Sequence, residues 1–220
     1  MITAFKNFDR AEYFRTLRFC LYTMRRPLDG FWDLTREKRG SLAAAHTIIF
    51  FAVIITIMRL TLSNFQFINV NMEYFNAWGV VLGVLLPIGL WTVANWALTT
   101  LFDGKGRMAD IYMGTAYALA PMVIIDAALI PISHFITYEE GAVYWMFSNI
   151  GFYWFIFLLL CAMKEIHEYS VGKAILTSIF TVFAIGVMVF IFIMFFAVVS
   201  DGVVFFFSIG QEAFVRFLTG

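Results

Sequence analysis

Five stretches of the chain are apolar for long enough to cross a bilayer: about Leu42 to Leu62, Ala77 to Phe102, Ile111 to Phe135, Val143 to Met163 and Ala174 to Ser200. Each is apolar throughout rather than alternating, so each predicts a helix; a membrane barrel needs many strands of about ten residues with alternating polarity. Ahead of them, from Ala11 to Met24, the pattern turns helical and two-sided. Tyr13, Phe14, Leu17, Cys20, Leu21 and Met24 share one side of a wheel, opposite Glu12, Arg15 and Arg18. This predicts an amphipathic helix that lies in the membrane interface, or packs the same stripe on the bundle or on a partner. Pro27 and the Asp29-Gly30 pair predict a turn that ends it. After the fifth run, Asp201-Gly202 predicts a second turn. The Phe-rich segment beyond it, interrupted by Gln211, Glu212 and Arg216, predicts a short interfacial helix rather than a sixth span. The expected fold is an all-α membrane bundle of five transmembrane helices over residues 29–220, preceded by an amphipathic cytoplasmic tail over residues 1–28.

Composition strengthens the membrane assignment. Hydrophobic residues make up 62% of the chain and charged ones 14%, with a mean hydropathy of +0.84, whereas soluble domains are about 45–50% apolar and about 25% charged. The distribution of charge then orients the spans. Nine basic residues precede Ser41, none lies between Thr61 and Asn76, two (Lys105, Arg107) lie between Asp103 and Asp110, none lies between Ile136 and Ala142, and two (Lys164, Lys173) follow the fourth run. Basic residues favour the cytoplasmic side, so the amino end is expected inside and the carboxyl end outside. A formal net charge of zero argues against a nucleic-acid partner. The first apolar run begins only at Ser41, so no removable secretory signal is expected. Cys20 and Cys161 have the spacing of neither a disulfide framework nor a zinc site.

Within the spans, Asp126 is the conspicuous polar position, because a carboxylate at helix centre costs about 2.5–3.5 kcal/mol on insertion scales. Arg59, at a similar distance along a span of the same direction, is its expected partner near mid-membrane. The pair is either structural or the core of an ion-linked transport site. Pro87, Pro121 and Pro131 each remove a backbone donor and predict kinks that can open a cavity. Gly79, Gly83, Gly89 and Gly114 offer close helix approach. Arg15, Arg18, Arg25 and Arg26, with Trp32 at headgroup level, are the candidate contacts for anionic lipid or for a partner. His46, His134 and His167 are scattered, and Glu165, His167 and Glu168 read as a solvated loop. The "DGKGRMAD" segment lacks the rest of a phosphate-binding loop. No catalytic set, metal site or cofactor is expected.

Several segments also carry a resemblance. "RPLDGFWDLTREKRGS", "WTVANWALTTLFDGKGRMADIY", "GTAYALAPMV" and "EEGAVYWMFSNIGFYWFIFLLLCAMKEIHEYSVGKAILTS" are similar to the bacterial branch of the Yip1 family, five-span membrane proteins with a cytoplasmic amino terminus. The resemblance covers about Pro27 to Ser200, and Tyr117 to Pro121 resembles the Tyr-x-Leu-x-Pro element of the family's third span. It implies a non-enzymatic membrane protein. Eukaryotic relatives associate with Rab-type GTPases through a tail bearing an Asp-Leu-Tyr-Gly-type motif; this chain departs from it, with Gly-Phe-Trp-Asp-Leu and a basic tail. Bacterial members often accompany sugar ABC importers, which implies an accessory role beside a permease or its ATPase, or self-association. A small channel or transporter centred on Asp126 is the alternative.

Overall fold

The computed structural model describes residues 10–68 and 70–219, with side chains described from 11 to 211 apart from 69. Lys6 and the side chains of Glu212, Phe214, Arg216 and Phe217 lie outside that set. The described chain forms helices α1 (Arg10–Arg25), α2 (Pro27–Arg36), α3 (Leu42–Leu62), α4 (Ala77–Leu101), α5 (Met108–Ala118), α6 (Ala120–Ile132), α7 (Gly141–His167) and α8 (Val171–Thr219). Short 3₁₀ turns at Met72–Tyr74 and Tyr138–Glu140 lie in the loops before α4 and α7. Five helical segments are long and apolar enough to cross a membrane, α5 and α6 counting as one. The protein is therefore an all-α, multi-pass membrane protein.

Local chemistry sets the boundaries. Ser41 caps α3 by accepting from the Ala44 N–H at 3.1 Å, and the Asn76 side chain caps α4 by accepting from Trp78 and Gly79. At the end of α7, Glu168 takes a left-handed conformation, with φ of 56°, and the Tyr169 N–H donates back to the Lys164 carbonyl. Between α5 and α6 the helix breaks at Leu119. Pro121 has no N–H to return to the Tyr117 carbonyl, which accounts for the break. Pro87 is accommodated inside α4, and Pro131 sits one residue before the end of α6.

The structure corrects two expected turns. Asp29-Gly30 is not a turn: Pro27 occupies the first position of a new helix, α2, which contains both residues. Gly30 serves a close crossing, since a Cβ there would lie 2.8 Å from the Thr23 Cα of α1. Asp201-Gly202 is likewise helical, and α8 runs unbroken for 49 residues. At 1.5 Å per residue that is about 74 Å, more than twice the roughly 30 Å hydrocarbon layer. Beyond Thr181 none of its described residues is buried.

The main core joins Phe31 and Leu34 of α2, Ala44, Ala45, Ile48 and Ile49 of α3, Ile111 and Tyr117 of α5, and Leu158, Ala162 and Met163 of α7. Thus α2 is part of the bundle rather than a separate tail. α1 is fastened to it as well: the Tyr117 hydroxyl donates to the Thr16 carbonyl at 2.9 Å, and Tyr13 meets Thr47 at 2.6 Å. Of the apolar stripe on α1, Leu17, Cys20 and Met24 pack on the core, while Phe14 and Leu21 stay exposed. The stripe is therefore split between the bundle and the surroundings.

Candidate functional site

The structure brings Arg59 and Asp126 together. Nη1 of Arg59 donates to Oδ1 of Asp126 at 2.7 Å. Arg59 then spends its other donors on α7: Nη2 reaches Ser148 Oγ at 2.7 Å, Nε points to the Tyr144 hydroxyl at 3.4 Å, and the guanidinium lies 5.8 Å from the Tyr144 ring centroid. Tyr144 is fully buried and stacks on Phe67 at 4.7 Å. One guanidinium therefore ties α3, α6 and α7. Along the helices the pair is off-centre. Arg59 is three residues from the end of α3 and Asp126 six from the end of α6, so the cluster sits within about two turns of that end of the bundle. Beside it, His134 Nε2 meets the Leu62 carbonyl at 2.8 Å, and Ser133 Oγ accepts from the Asn64 N–H.

From Asp126 a cavity of about 590 Å³ extends inward between the helices. Pro87 and Gly83 of α4, Leu119 at the α5–α6 break, and Phe155 and Leu159 of α7 line it. The helix-internal Pro87, the α5–α6 break and the carboxylate thus meet one space, whose walls are otherwise largely apolar. The Trp91 indole N–H, buried and without a hydrogen-bond partner among the described residues, belongs to the same lining. Gly83 and Gly89 meet nothing within 4 Å of an added Cβ, so they do not serve close helix packing. Gly114 does, facing Ile166 and Ala162 of α7.

At the opposite end the structure assembles a second polar cluster that the sequence did not reveal. His167 is not in a solvated loop: it is the last residue of α7 and is 1% exposed. Its Nδ1 accepts from the Gly106 N–H at 3.3 Å, which leaves Nε2 to donate to Asn95 Oδ1 at 3.0 Å. Asn95 in turn donates to Thr181 at 3.1 Å, and Thr181 to the Thr177 carbonyl. This chain links α4, α7, α8 and the 102–107 loop. Over it, Tyr169 stacks on His167, its hydroxyl donates to the Phe102 carbonyl at 2.9 Å, and Lys173 caps the same carbonyl at 2.7 Å. Burial, with Asp103 nearby, pushes the Tyr169 phenol up from its ordinary range. Glu168 pairs with both Arg36 of α2 and Lys105. The signal for this cluster is absent locally, because its members lie 61 to 86 residues apart in pairs.

The tail arginines divide. Arg15, Arg18 and Arg25 line one groove facing Ile124 and Trp154, whereas Arg26 lines another with Asp29, Phe157 and Lys164. Trp32 is exposed on α2 with the Arg36 guanidinium 5.1 Å from its ring centroid. Burial pushes the Cys20 thiol up, which keeps it protonated at neutral pH. Among the described residues no three metal-ligating side chains converge.

Comparison with protein families matches residues 21–200 to the Yip1 domain. The match begins inside α1 and ends inside α8, so it takes in α2, both polar clusters and the cavity. Neither curated proteins nor solved structures give a match.

Proposed function

We propose, from the premise that the chain belongs to the Yip1 family, that it acts without catalysis as a membrane scaffold or accessory subunit, through protein and lipid contacts. The observation that supports this is the α1–α2 hairpin. It is anchored by buried Phe31 and Leu34 and by the Thr16–Tyr117 bond, yet exposes Phe14, Leu21, Leu28 and Trp32. A fixed platform of exposed apolar and aromatic side chains beside arginines is suited to docking another membrane protein. The reading extends to a bacterial cytoplasmic membrane, with the basic end inside, and to the permease or ATPase of a carbohydrate importer as the partner. Purification of the tagged protein from native membranes in mild detergent, with mass spectrometry of stoichiometric companions, tests it. Importer subunits are the expected companions; a solitary or purely self-associated protein counts against it.

The cavity below Asp126 favours a second reading, a small channel or transporter. Reconstituted flux that disappears in Asp126→Asn, with the protein still folded, would establish that role instead.

A further inference from the structure

Between α1 and helices α6 and α7 runs a groove of about 830 Å³. Arg15, Arg18 and Arg25 line its α1 side, and Ile124 and Trp154 form an apolar wall opposite. The wall is deep. Ile124 lies sixteen residues past Met108 and Trp154 thirteen before His167, placing them about 24 and about 20 Å from the basic end of the bundle. With the basic end at one membrane face, a wall at that distance lies at the level of acyl chains. A guanidinium facing that layer calls for a counter-charge. Among the described residues the structure supplies little: Arg15 has a 3.9 Å contact with Glu12 on its own helix, and Arg18 and Arg25 have no carboxylate partner. Arg18 and Arg25 are seven residues apart, hence on one face of α1 two turns from each other.

We propose that this groove holds one anionic phospholipid of the bilayer, with its phosphate between Arg18 and Arg25 and an acyl chain along Ile124 and Trp154. Charge complementarity carries the choice. A phosphate diester meets two unpaired guanidiniums, and a headgroup that adds no cation avoids the repulsion a choline would bring. The apolar wall takes the chain, as a free phosphate could not use it. This rests on the lipid-contact part of the function proposed above and replaces diffuse attraction to a charged surface with a single stoichiometric site.

The test uses the full-length protein in mild detergent, exchanged against phosphatidylglycerol or phosphatidylcholine and weighed by native mass spectrometry. One phosphatidylglycerol per chain is expected to be retained and no phosphatidylcholine. The R18Q/R25Q variant should bind phosphatidylglycerol about 30-fold more weakly, from the contribution per basic residue near a membrane surface. K38Q/R107Q, which removes the same charge from the same end outside the groove, should retain it. Equal loss in both variants, or equal retention of the two lipids by the unaltered protein, overturns the site. Displacement by millimolar inorganic phosphate would make the occupant a soluble anion, and loss of a companion protein in place of lipid would make the groove a protein contact; either overturns it. Absence of any companion protein, by contrast, would sink the importer role and leave the lipid site standing.

Discussion

The Arg59 guanidinium faces Asp126, Ser148 and Tyr144 from a largely buried position, so its cost of desolvation is offset only while those partners remain. Replacing one member of such a pair leaves the other buried and uncompensated, at a cost of about 3–5 kcal/mol, whereas replacing both with apolar residues of similar volume is often neutral. Arg59→Met and Asp126→Leu should therefore each lower the thermal midpoint of the detergent-solubilised protein strongly, and the double variant should recover most of the loss. Additive losses would show that the two residues are not coupled. If the double variant is folded and keeps its companions, the pair is structural; if it is folded but has lost flux, the second reading gains. Both charged members were legible in the sequence, because a lone charge within an apolar run must find a partner at its own depth. Tyr144 and Ser148 were not, since an uncharged residue in a membrane helix carries no comparable penalty that would mark it.

Elements in this protein are secured at their ends. The 102–107 loop passes over the end of α7 so closely that a Cβ on Gly106 would lie 2.4 Å from Ile166 and 2.8 Å from His167, while one on Gly83, within α4, meets open space. His167 cannot yield without breaking its bond to Asn95, and with it the link onward to Thr181. Gly106→Ala should accordingly destabilise the protein, whereas Gly83→Ala should leave the thermal midpoint unchanged or raise it, since alanine is the better helix former by about 1 kcal/mol. A Gly106→Ala protein as stable as the parent would mean that the loop does not clamp α7. The spans themselves could be read from the sequence because length and apolarity decide them. Their ends could not: the Asp-Gly pairs at 29–30 and 201–202 are strong local turn signals, yet α2 uses its glycine to cross α1 and α8 continues through its own. The α1 stripe was equally undecided, since an apolar face has the same pattern whether protein or lipid covers it; here Leu17, Cys20 and Met24 pack on the core while Phe14 and Leu21 are left exposed.

For the molecule as a whole, the two ends differ in kind. Arg36, Lys105 and Glu168 come from three separate segments and meet at one end, where Lys173 also caps the Phe102 carbonyl. The basic segments therefore share a side as folded objects, and not merely by counting loops. Arg59 is the exception to this charge asymmetry within the spans, lying close to the far end, where a single arginine is outweighed by the basic residues gathered at the other. The basic end should then face the cytoplasm. Single cysteines placed at Lys38 or Lys105, in a C20A/C161A background, should react with a membrane-impermeant maleimide only after cells are opened, while cysteines at Glu73 or Glu139 should react in intact cells. The reverse pattern would invert the protein and put the α1–α2 platform on the outer face, where a cytoplasmic ATPase could not reach it. Labelling at both sets in intact cells would indicate mixed insertion, and would make the asymmetry of basic residues too weak to fix the orientation.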